Sequence, residues 1–343
     1  MTAATADPVR AAMFAALAAS ERVRGSTSPN PPVGCVVLDA DGAVAGTGAT
    51  QPPGGPHAEV LALRAAGDRA RGGTAVVTLE PCAHTGRTAP CTTALLAAGV
   101  ARVVHAVADP NPKAAGGAEV LRAAGVRVES GLLGEQIARG PLRAWLHFAR
   151  TGRPHVTWKY AASLDGRSAA ADGTSKWISS ATSRAEVHEL RGKVDAILAG
   201  TGTVLADDPQ LTAREADGGL RPHQPLRVVV GDREVPAGAR VFDDSAATIR
   251  LPGGDPAAAL AELGRRGVVD VLLEGGPTLA GAFVAAGCVD RVLAYLAPAL
   301  LGAGPAALGD AGVASVSQAW WWDIEETTMS GPDVRVSAVP TGR

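Results

Sequence analysis

Residues 74–91 read Thr74-Ala75-Val76-Val77-Thr78-Leu79-Glu80-Pro81-Cys82-Ala83-His84-Thr85-Gly86-Arg87-Thr88-Ala89-Pro90-Cys91. The first six residues form an apolar, β-branched run of the length of a buried strand. Pro81 and the polar turn after it end that run, and residues 90–98 then have the composition of a helix that begins at a proline. A strand, a polar loop at its carboxyl end and a returning helix make the building unit of a layered α/β protein.

The same alternation extends in both directions. Upstream, the pattern predicts a helix over 8–22 capped by Asp7, with Pro8 at its first position. Strands over 33–38 and 43–49 follow, joined at an Asp41-Gly42 turn, and then a helix over 57–66. Downstream it predicts strands over 102–106 and 126–130, a helix over 119–124 and one long helix over 134–149. A largely parallel sheet is expected. Thr151-Gly152-Arg153-Pro154 is a stop signal, after which a second α/β series begins with a strand over 155–162. Strands are expected at 196–199, 226–230, 268–273 and 291–296, and helices at 183–191, 256–266 and 278–286. With 343 residues and roughly 150 per domain, two domains are expected, 1–150 and 151–343.

Composition narrows the function classes. Hydrophobic residues make up 46% of the chain, enough for a core in each half despite 42 glycines and 24 prolines. Aromatic residues are only 3%, so aliphatic side chains and alanine carry the packing. The 32 basic and 34 acidic residues nearly cancel, which disfavours nucleic acid or an anionic membrane as partner. No apolar run approaches the ~20 residues that span a bilayer, and the stretch 11–19 lacks the basic run of a signal peptide. A cytoplasmic protein is expected. Four cysteines are too few and too scattered for a secreted disulfide scaffold. Only Lys113, Lys159, Lys176 and Lys193 are lysines, so arginine is the default cation and a lysine inside a motif stands out.

His57-Ala58-Glu59, Cys82 and Cys91 form the strongest chemical constellation. Zinc binds imidazole nitrogen and thiolate, and catalytic zinc sites use three protein ligands with one position left for water. His57 opens one predicted helix, Cys82 follows a strand, and Cys91 follows Pro90 at another helix start, where the helix dipole favours the thiolate. Glu59 is placed to carry a proton from an activated water to a leaving amine. The general zinc-deaminase pattern is His-x-Glu with Pro-Cys-x-x-Cys. Here the cysteines are nine residues apart, and either one alone reads equally as a small buried hydrophobe. Cys35 and Cys288, outside any motif, are read as packing residues.

The string 78–91 closely resembles the deaminase half of the bifunctional riboflavin-biosynthesis deaminase/reductase family, in which the long cysteine spacing is normal. Pro29-Asn30-Pro31-Pro32-Val33-Gly34 and Asp109-Pro110-Asn111-Pro112 resemble its substrate-pocket segments. Ser28 and Ala89 depart from its usual asparagine and proline, and segment 114–117 is one residue shorter. The resemblance implies a cytidine-deaminase-like three-layer domain that uses zinc to deaminate a diaminopyrimidinone ribosylamine 5′-phosphate at its 2-amino carbon. It makes Asn30 a substrate contact; on residue chemistry alone Asn30 serves equally as a turn residue.

The second half carries Lys159-Tyr160-Ala161-Ala162-Ser163-Leu164-Asp165-Gly166-Arg167, then Ser175-Lys176-Trp177 and Gly200-Thr201-Gly202-Thr203. Later come Leu211-Thr212-Ala213-Arg214 and Leu273-Glu274-Gly275-Gly276-Pro277-Thr278-Leu279. The last reads as a strand, a glycine turn and a helix whose first amides suit an anion, without the Gly-x-Gly-x-x-Gly of the Rossmann fold. Together these strings are similar to the reductase half of the same family. They imply a dihydrofolate-reductase-like domain that uses NADPH to reduce the ribosyl group of the deaminated intermediate to ribityl. The resemblance assigns Ala161, Trp177, Thr203, Asp207, Gly276, Pro277, Thr278, Leu279, Ala280, Gly281 and Ala282 to the cofactor. It assigns Ser175, Arg191, Leu211, Arg214 and Glu274 to the substrate, with the two arginines suited to a 5′-phosphate. By their chemistry Lys159 and Glu274 are the expected catalytic pair, the lysine polarising the sugar oxygen or supplying a proton. Asp165 is expected to hold a turn. Trp320-Trp321-Trp322 suits packing or a subunit contact, and a homo-oligomer is expected.

Two other readings stand beside this one. The second half is then a degenerate or differently specific reductase domain, or the whole chain is a non-catalytic binding protein for pyrimidine nucleotides or RNA. Scarce aromatics and near-zero charge disfavour the RNA version.

Overall fold

The computed structural model of the protein describes residues 7–84, 89–112 and 114–341; positions 85–88 of the cysteine motif and Lys113 lie outside the described residues. The chain divides into two compact units, Met1–Gly152 and Arg153–Arg343.

In the first unit, α1 (Pro8–Arg22) starts where the Asp7 carboxylate accepts the Val9 amide at 3.0 Å. The elements that follow are β1 (Gly34–Leu38), β2 (Val44–Ala49), α2 (Ala58–Ala66), β3 (Thr74–Leu79), α3 (Cys91–Ala98) and β4 (Arg102–Val107). They continue with α4 (Gly117–Ala123), β5 (Arg127–Ser130), α5 (Gly134–Arg139) and α6 (Arg143–Thr151). The single helix expected over 134–149 is therefore two. Gly140-Pro141 breaks it, because proline offers no amide to the preceding turn.

The sheet order is β2-β1-β3-β4-β5. β3, β4 and β5 run parallel, whereas β1 is antiparallel to both β2 and β3. The sheet is thus mixed rather than largely parallel, because the Asp41-Gly42 turn folds β2 back on β1. Glycine sets the layering. Gly34 pairs with Ala49, Cys35 with Gly48 and Val37 with Gly46. Residues directly opposite share a face, and successive residues alternate faces, so Gly34 lies on one side and Gly46 and Gly48 on the other. A Cβ on Gly34 would collide with the Ala16 carbonyl of α1, and one on Gly46 or Gly48 with the Ala62 or Ala58 carbonyl of α2. The two helices therefore cover opposite faces at backbone distance, which produces three layers.

The second unit contains β6 (His155–Ser163), α7 (Ala181–Arg191), β7 (Ala196–Gly200), α8 (Thr201–Asp207), β8 (Leu226–Val230) and β9 (Thr248–Leu251). Then come α9 (Pro256–Arg265), β10 (Asp270–Leu273), α10 (Pro277–Ala285), β11 (Arg291–Ala297), β12 (Trp322–Ser330) and β13 (Asp333–Pro340). Its sheet runs β12-β13-β11-β6-β10-β7-β8-β9. β6 to β11 are parallel, and the β12–β13 hairpin adds an antiparallel edge. Trp158, Leu260, Leu273 and Phe283 belong to the core of one sheet face, and Trp320 and Trp322 pack against it. The Trp320 indole donates to the Ala311 carbonyl at 3.0 Å, whereas Trp321 is 68% exposed. No helix among the described residues is long and apolar enough to cross a membrane.

Arg227 of β8 is wholly buried. Its guanidinium donates to the Asp243 carboxylate at 2.8 Å and to the Asp243 and Ala246 carbonyls, fastening the loop before β9. Arg227→Met keeps the stem but takes the guanidinium donors from the Asp243 and Ala246 carbonyls and the cation from the Asp243 carboxylate. It is expected to destabilise the second unit by about 3 kcal/mol in urea unfolding. A change under about 1 kcal/mol would show that the loop is held by other contacts.

Candidate active sites

In the first unit four chain segments leave the same end of the sheet. β1 runs antiparallel to β3 with Cys35 opposite Val77, so β1 begins where β3 ends, and the Gly34 amide donates to the Thr78 hydroxyl at 3.1 Å. β4 is parallel to β3 with Val107 beside Leu79, and the Glu80 amide donates to the Val107 carbonyl at 2.8 Å. β2 ends beside Gly34 and leads towards His57. Asn30, Cys82 and Asp109 are thereby gathered at one sheet end, where open α/β sheets place their sites. Asn30 is half-buried; its amide donates to the Thr27 carbonyl at 2.9 Å, and its side chain has no partner among the described residues.

His57 occupies the N-cap of α2, Glu59 lies in that helix's first turn at 4% exposure, and Cys91 is the first residue of α3. His57 Nδ1 is 3.2 Å from Cys91 Sγ and 3.7 Å from Cys82 Sγ. One donor atom from each of the three lies within 4.8 Å of the other two. Zn–S and Zn–N bonds of about 2.3 and 2.05 Å at tetrahedral angles put sulfur and nitrogen about 3.6 Å apart, so the observed spacing fits zinc with a fourth position to spare. The Cys91 amide also donates to Cys82 Sγ at 3.4 Å. The hydrogen bond from the Cys91 thiol, first, pulls the Cys82 thiol down to about 4, while its counterpart pushes Cys91 up. Hydrogen bonding to Cys82 raises His57, and burial raises Glu59. The direction of these shifts favours the thiolate at Cys82, the form that binds a cation.

In the second unit the Arg191 guanidinium forks onto Glu274, Nε to Oε1 at 2.6 Å and Nη2 to Oε2 at 2.9 Å. Lys159 Nζ is 3.9 Å from Glu274 Oε2 and 5.9 Å from the Tyr295 ring centroid. All three charged side chains are at most 16% exposed. Burial raises the Glu274 carboxyl, but Arg191 and then Lys159 overcome it and bring it down to about 2. Burial lowers the Lys159 ammonium, with Glu274 opposing. Arg191 also donates to the Thr212 carbonyl at 3.2 Å, which draws the 211–214 segment to this pair.

Other residues assigned from the sequence distribute less evenly. Thr203 and Gly276 meet, the Gly276 amide donating to the Thr203 hydroxyl at 3.0 Å. Lys176 Nζ donates to the Asp207 carbonyl at 3.2 Å, tying the Ser175–Trp177 stretch to the end of α8. Ala161 lies two residues beyond Lys159 on the same strand face, packed with Tyr295. Trp177 is 69% exposed, with the Arg184 guanidinium 4.4 Å from its ring centroid. Pro277 and Leu279 are half-buried and Thr278 and Ala282 exposed, but Ala280 is fully buried and Gly281 abuts the Asp310 carbonyl. Those last two positions face the core rather than an open cleft. Leu211 is buried in the core with φ of 52°. Arg214 donates to the Gly218 carbonyl at 2.6 Å and to the Gln210 side chain. Asp165 holds its turn as expected, accepting from Ser163 at 2.5 Å and from the Gly302 amide at 2.7 Å.

Sequence reasoning passed over Glu80. It is 8% exposed, and its carboxylate accepts the Asp109 and Ala118 amides at 3.1 and 3.0 Å. The available signal was a charged residue that directly continues a buried, mostly apolar strand.

Comparison with known proteins gives matches to both halves. The RibD C-terminal domain matches residues 154–335, and the cytidine and deoxycytidylate deaminase zinc-binding region matches residues 8–107. The riboflavin biosynthesis protein RibD of Mycobacterium tuberculosis is 56% identical over 328 residues, covering 96% of each chain. That of Escherichia coli is 41% identical over 359 residues, covering 94% of this chain and 96% of its own. The solved RibD of Acinetobacter baumannii has a TM-score of 0.88 at 37% identity and covers 98% of this chain and 99% of its own. A Thermotoga maritima structure, described as a diaminohydroxyphosphoribosylaminopyrimidine deaminase/5-amino-6-(5-phosphoribosylamino)uracil reductase, has a TM-score of 0.88 at 33% identity, covering 97% and 99%.

Proposed function

This chain belongs to the RibD family of bifunctional riboflavin-biosynthesis enzymes, and on that premise we propose how its own residues divide the work between the two units. The enzyme uses zinc and NADPH. We assign deamination to the first unit and reduction to the second, with the two substrates named for the Thermotoga maritima relative. The gathering of His57, Cys82 and Cys91 around the buried Glu59 carries the first assignment.

His57, Cys82 and Cys91 would hold zinc, which would lower the pKa of a water molecule enough for it to attack at neutral pH. Glu59 accepts a proton from that water and returns it to the departing amine, so ammonia leaves as the ring carbon gains oxygen. Asn30, at the same sheet end with a free side-chain amide, hydrogen-bonds the pyrimidine.

In the second unit NADPH supplies a hydride. Thr203, Gly276 and the start of α10 would receive the cofactor, with Asp207 at the end of α8 and Trp177 beside Lys176, which is tied to it. Ala161, Leu279, Pro277, Thr278 and Ala282 would line the cofactor. Ala280 and Gly281 shape the helix from behind. Lys159 is placed to donate a proton to the sugar oxygen, which with the hydride NADPH would supply at C1′ would give the open ribityl chain. Glu274 stays ionised and accepts a sugar hydroxyl. Arg191 holds Glu274 in place, while Ser175 and Arg214 bound the substrate's other end and core-buried Leu211 anchors the 211–214 segment behind them.

All four cysteines are free and buried, which supports a reducing cytoplasm. Exposed Trp321, with Ile324 and Met329 of edge strand β12, supports a homo-oligomer, testable by light scattering.

Stripping zinc with a chelator is expected to abolish ammonia release and leave NADPH oxidation of the deaminated intermediate intact. Added zinc should restore the first activity. Equal loss of both activities would contradict the division between the units.

A further inference from the structure

We propose that Glu80 is a positioning residue for deamination: its carboxylate fixes the wall of the pyrimidine pocket against the cysteine pair. The inference rests on the deaminase reading of the first unit and adds a residue to it. Glu80 precedes Pro81-Cys82, is nearly buried, and forms no ion pair with a cation among the described residues. A buried carboxylate without a cation is costly unless hydrogen bonds satisfy it. Here two backbone amides do so, from chain positions on either side of one loop. Oε2 accepts from Asp109, just past β4, and Oε1 from Ala118 at the start of α4. One rigid side chain thus clamps both ends of a loop.

That loop touches the metal-donor cluster. The Ala83 amide donates to the Ala114 carbonyl at 3.2 Å, and Ala114 packs against Cys82 and Cys91. Gly117 lies so close to the Pro81 carbonyl that a Cβ would collide with it. The Asp109 carboxylate accepts the Asn111 amide at 2.8 Å, which shapes the other end. A substrate that reaches His57, Cys82 and Cys91 therefore meets this wall, and the wall's position is set by Glu80.

Glutamine at position 80 keeps the volume but offers one acceptor oxygen where two are needed. In Glu80→Gln the KM for deamination is expected to rise about tenfold, equivalent to 1.4 kcal/mol. Its kcat should stay within about twofold, zinc should remain at one per chain, and NADPH oxidation of the deaminated intermediate should be unchanged. Gly117→Ala, which pushes the same wall while leaving Glu80 intact, should also raise KM with zinc retained. An unchanged KM in Glu80→Gln, or a fall in kcat alone, would overturn the proposal. If Glu80→Gln loses zinc, Gly117→Ala decides: a raised KM supports the wall, and a normal KM refutes it. Absence of zinc-dependent deamination in the unaltered protein would instead overturn the deaminase reading itself.

Discussion

Glu59→Gln is expected to lower the deaminase kcat by about 10²–10⁴-fold while zinc content and NADPH oxidation of the deaminated intermediate remain normal. The carboxylate is buried in the first turn of α2, two residues from His57. Glutamine fills the same volume, so α2 and its N-cap histidine stay where they are. What it loses is the ability to take a proton from water and return it to the leaving amine. His57, Cys82 and Cys91 are unaltered, so metal analysis should still find one zinc per chain. Ammonia release within tenfold of the unaltered protein would show that another group moves the proton. Loss of zinc together with activity would show that Glu59 supports the metal site rather than the proton transfer.

Lys159→Met is expected to cost a similar factor, about 10²–10⁴, in the rate of NADPH oxidation, with NADPH binding and deamination preserved. Of the two catalytic candidates, only the lysine can donate a proton near neutrality, because Glu274 is held at about 2 and stays ionised. Methionine keeps the stem length and leaves Glu274 paired with Arg191, so no buried charge is orphaned. The pH dependence follows from the direction of the lysine's shift. Burial lowers its pKa below the ordinary 10.5, so the charged, proton-donating form is lost at a lower pH than for a free lysine. The alkaline limb of reductase kcat/KM should fall below pH 10.5 in the unaltered protein and disappear in Lys159→Met. An unchanged limb in the variant would assign the proton to a different donor.

Much of the architecture was legible because burial and punctuation agreed. The run 74–79 is apolar and β-branched with a proline two residues beyond it, and β3 occupies those positions. Asp7-Pro8 fixed the start of α1 in the same way. What escaped lacked such contrast. β12 is an edge strand whose residues are mostly exposed or half-buried, so its two faces carry no alternation of apolar and polar residues. α8 contains Gly202 and three β-branched residues and has little intrinsic helix preference. The mixed sheet order of the first unit came from a single hairpin turn at Asp41-Gly42, and the break between α5 and α6 from a single Gly-Pro pair.

The sites divide along the same line. Residues whose chemistry is rare, two proline-preceded cysteines with a His-x-Glu and a lysine in an arginine-rich chain, could be picked out individually. Arg191 could not. Its partner Glu274 is 83 positions away, and only the packing of α7 onto the strand ends makes them a fork. Glu80 was hidden because its partners are backbone amides, which no side-chain pattern encodes. Arg227 looks like a surface cation in the sequence and is buried because loop carbonyls satisfy it.

The two-step division is tested most directly by giving the purified, zinc-loaded protein the diaminopyrimidinone ribosylamine phosphate and following ammonia and NADPH together. Ammonia should be released at full rate without NADPH, and NADPH, when present, should be consumed only after the deaminated intermediate has formed. NADPH oxidation that precedes ammonia release, or no oxidation when the deaminated intermediate is supplied directly, would contradict it.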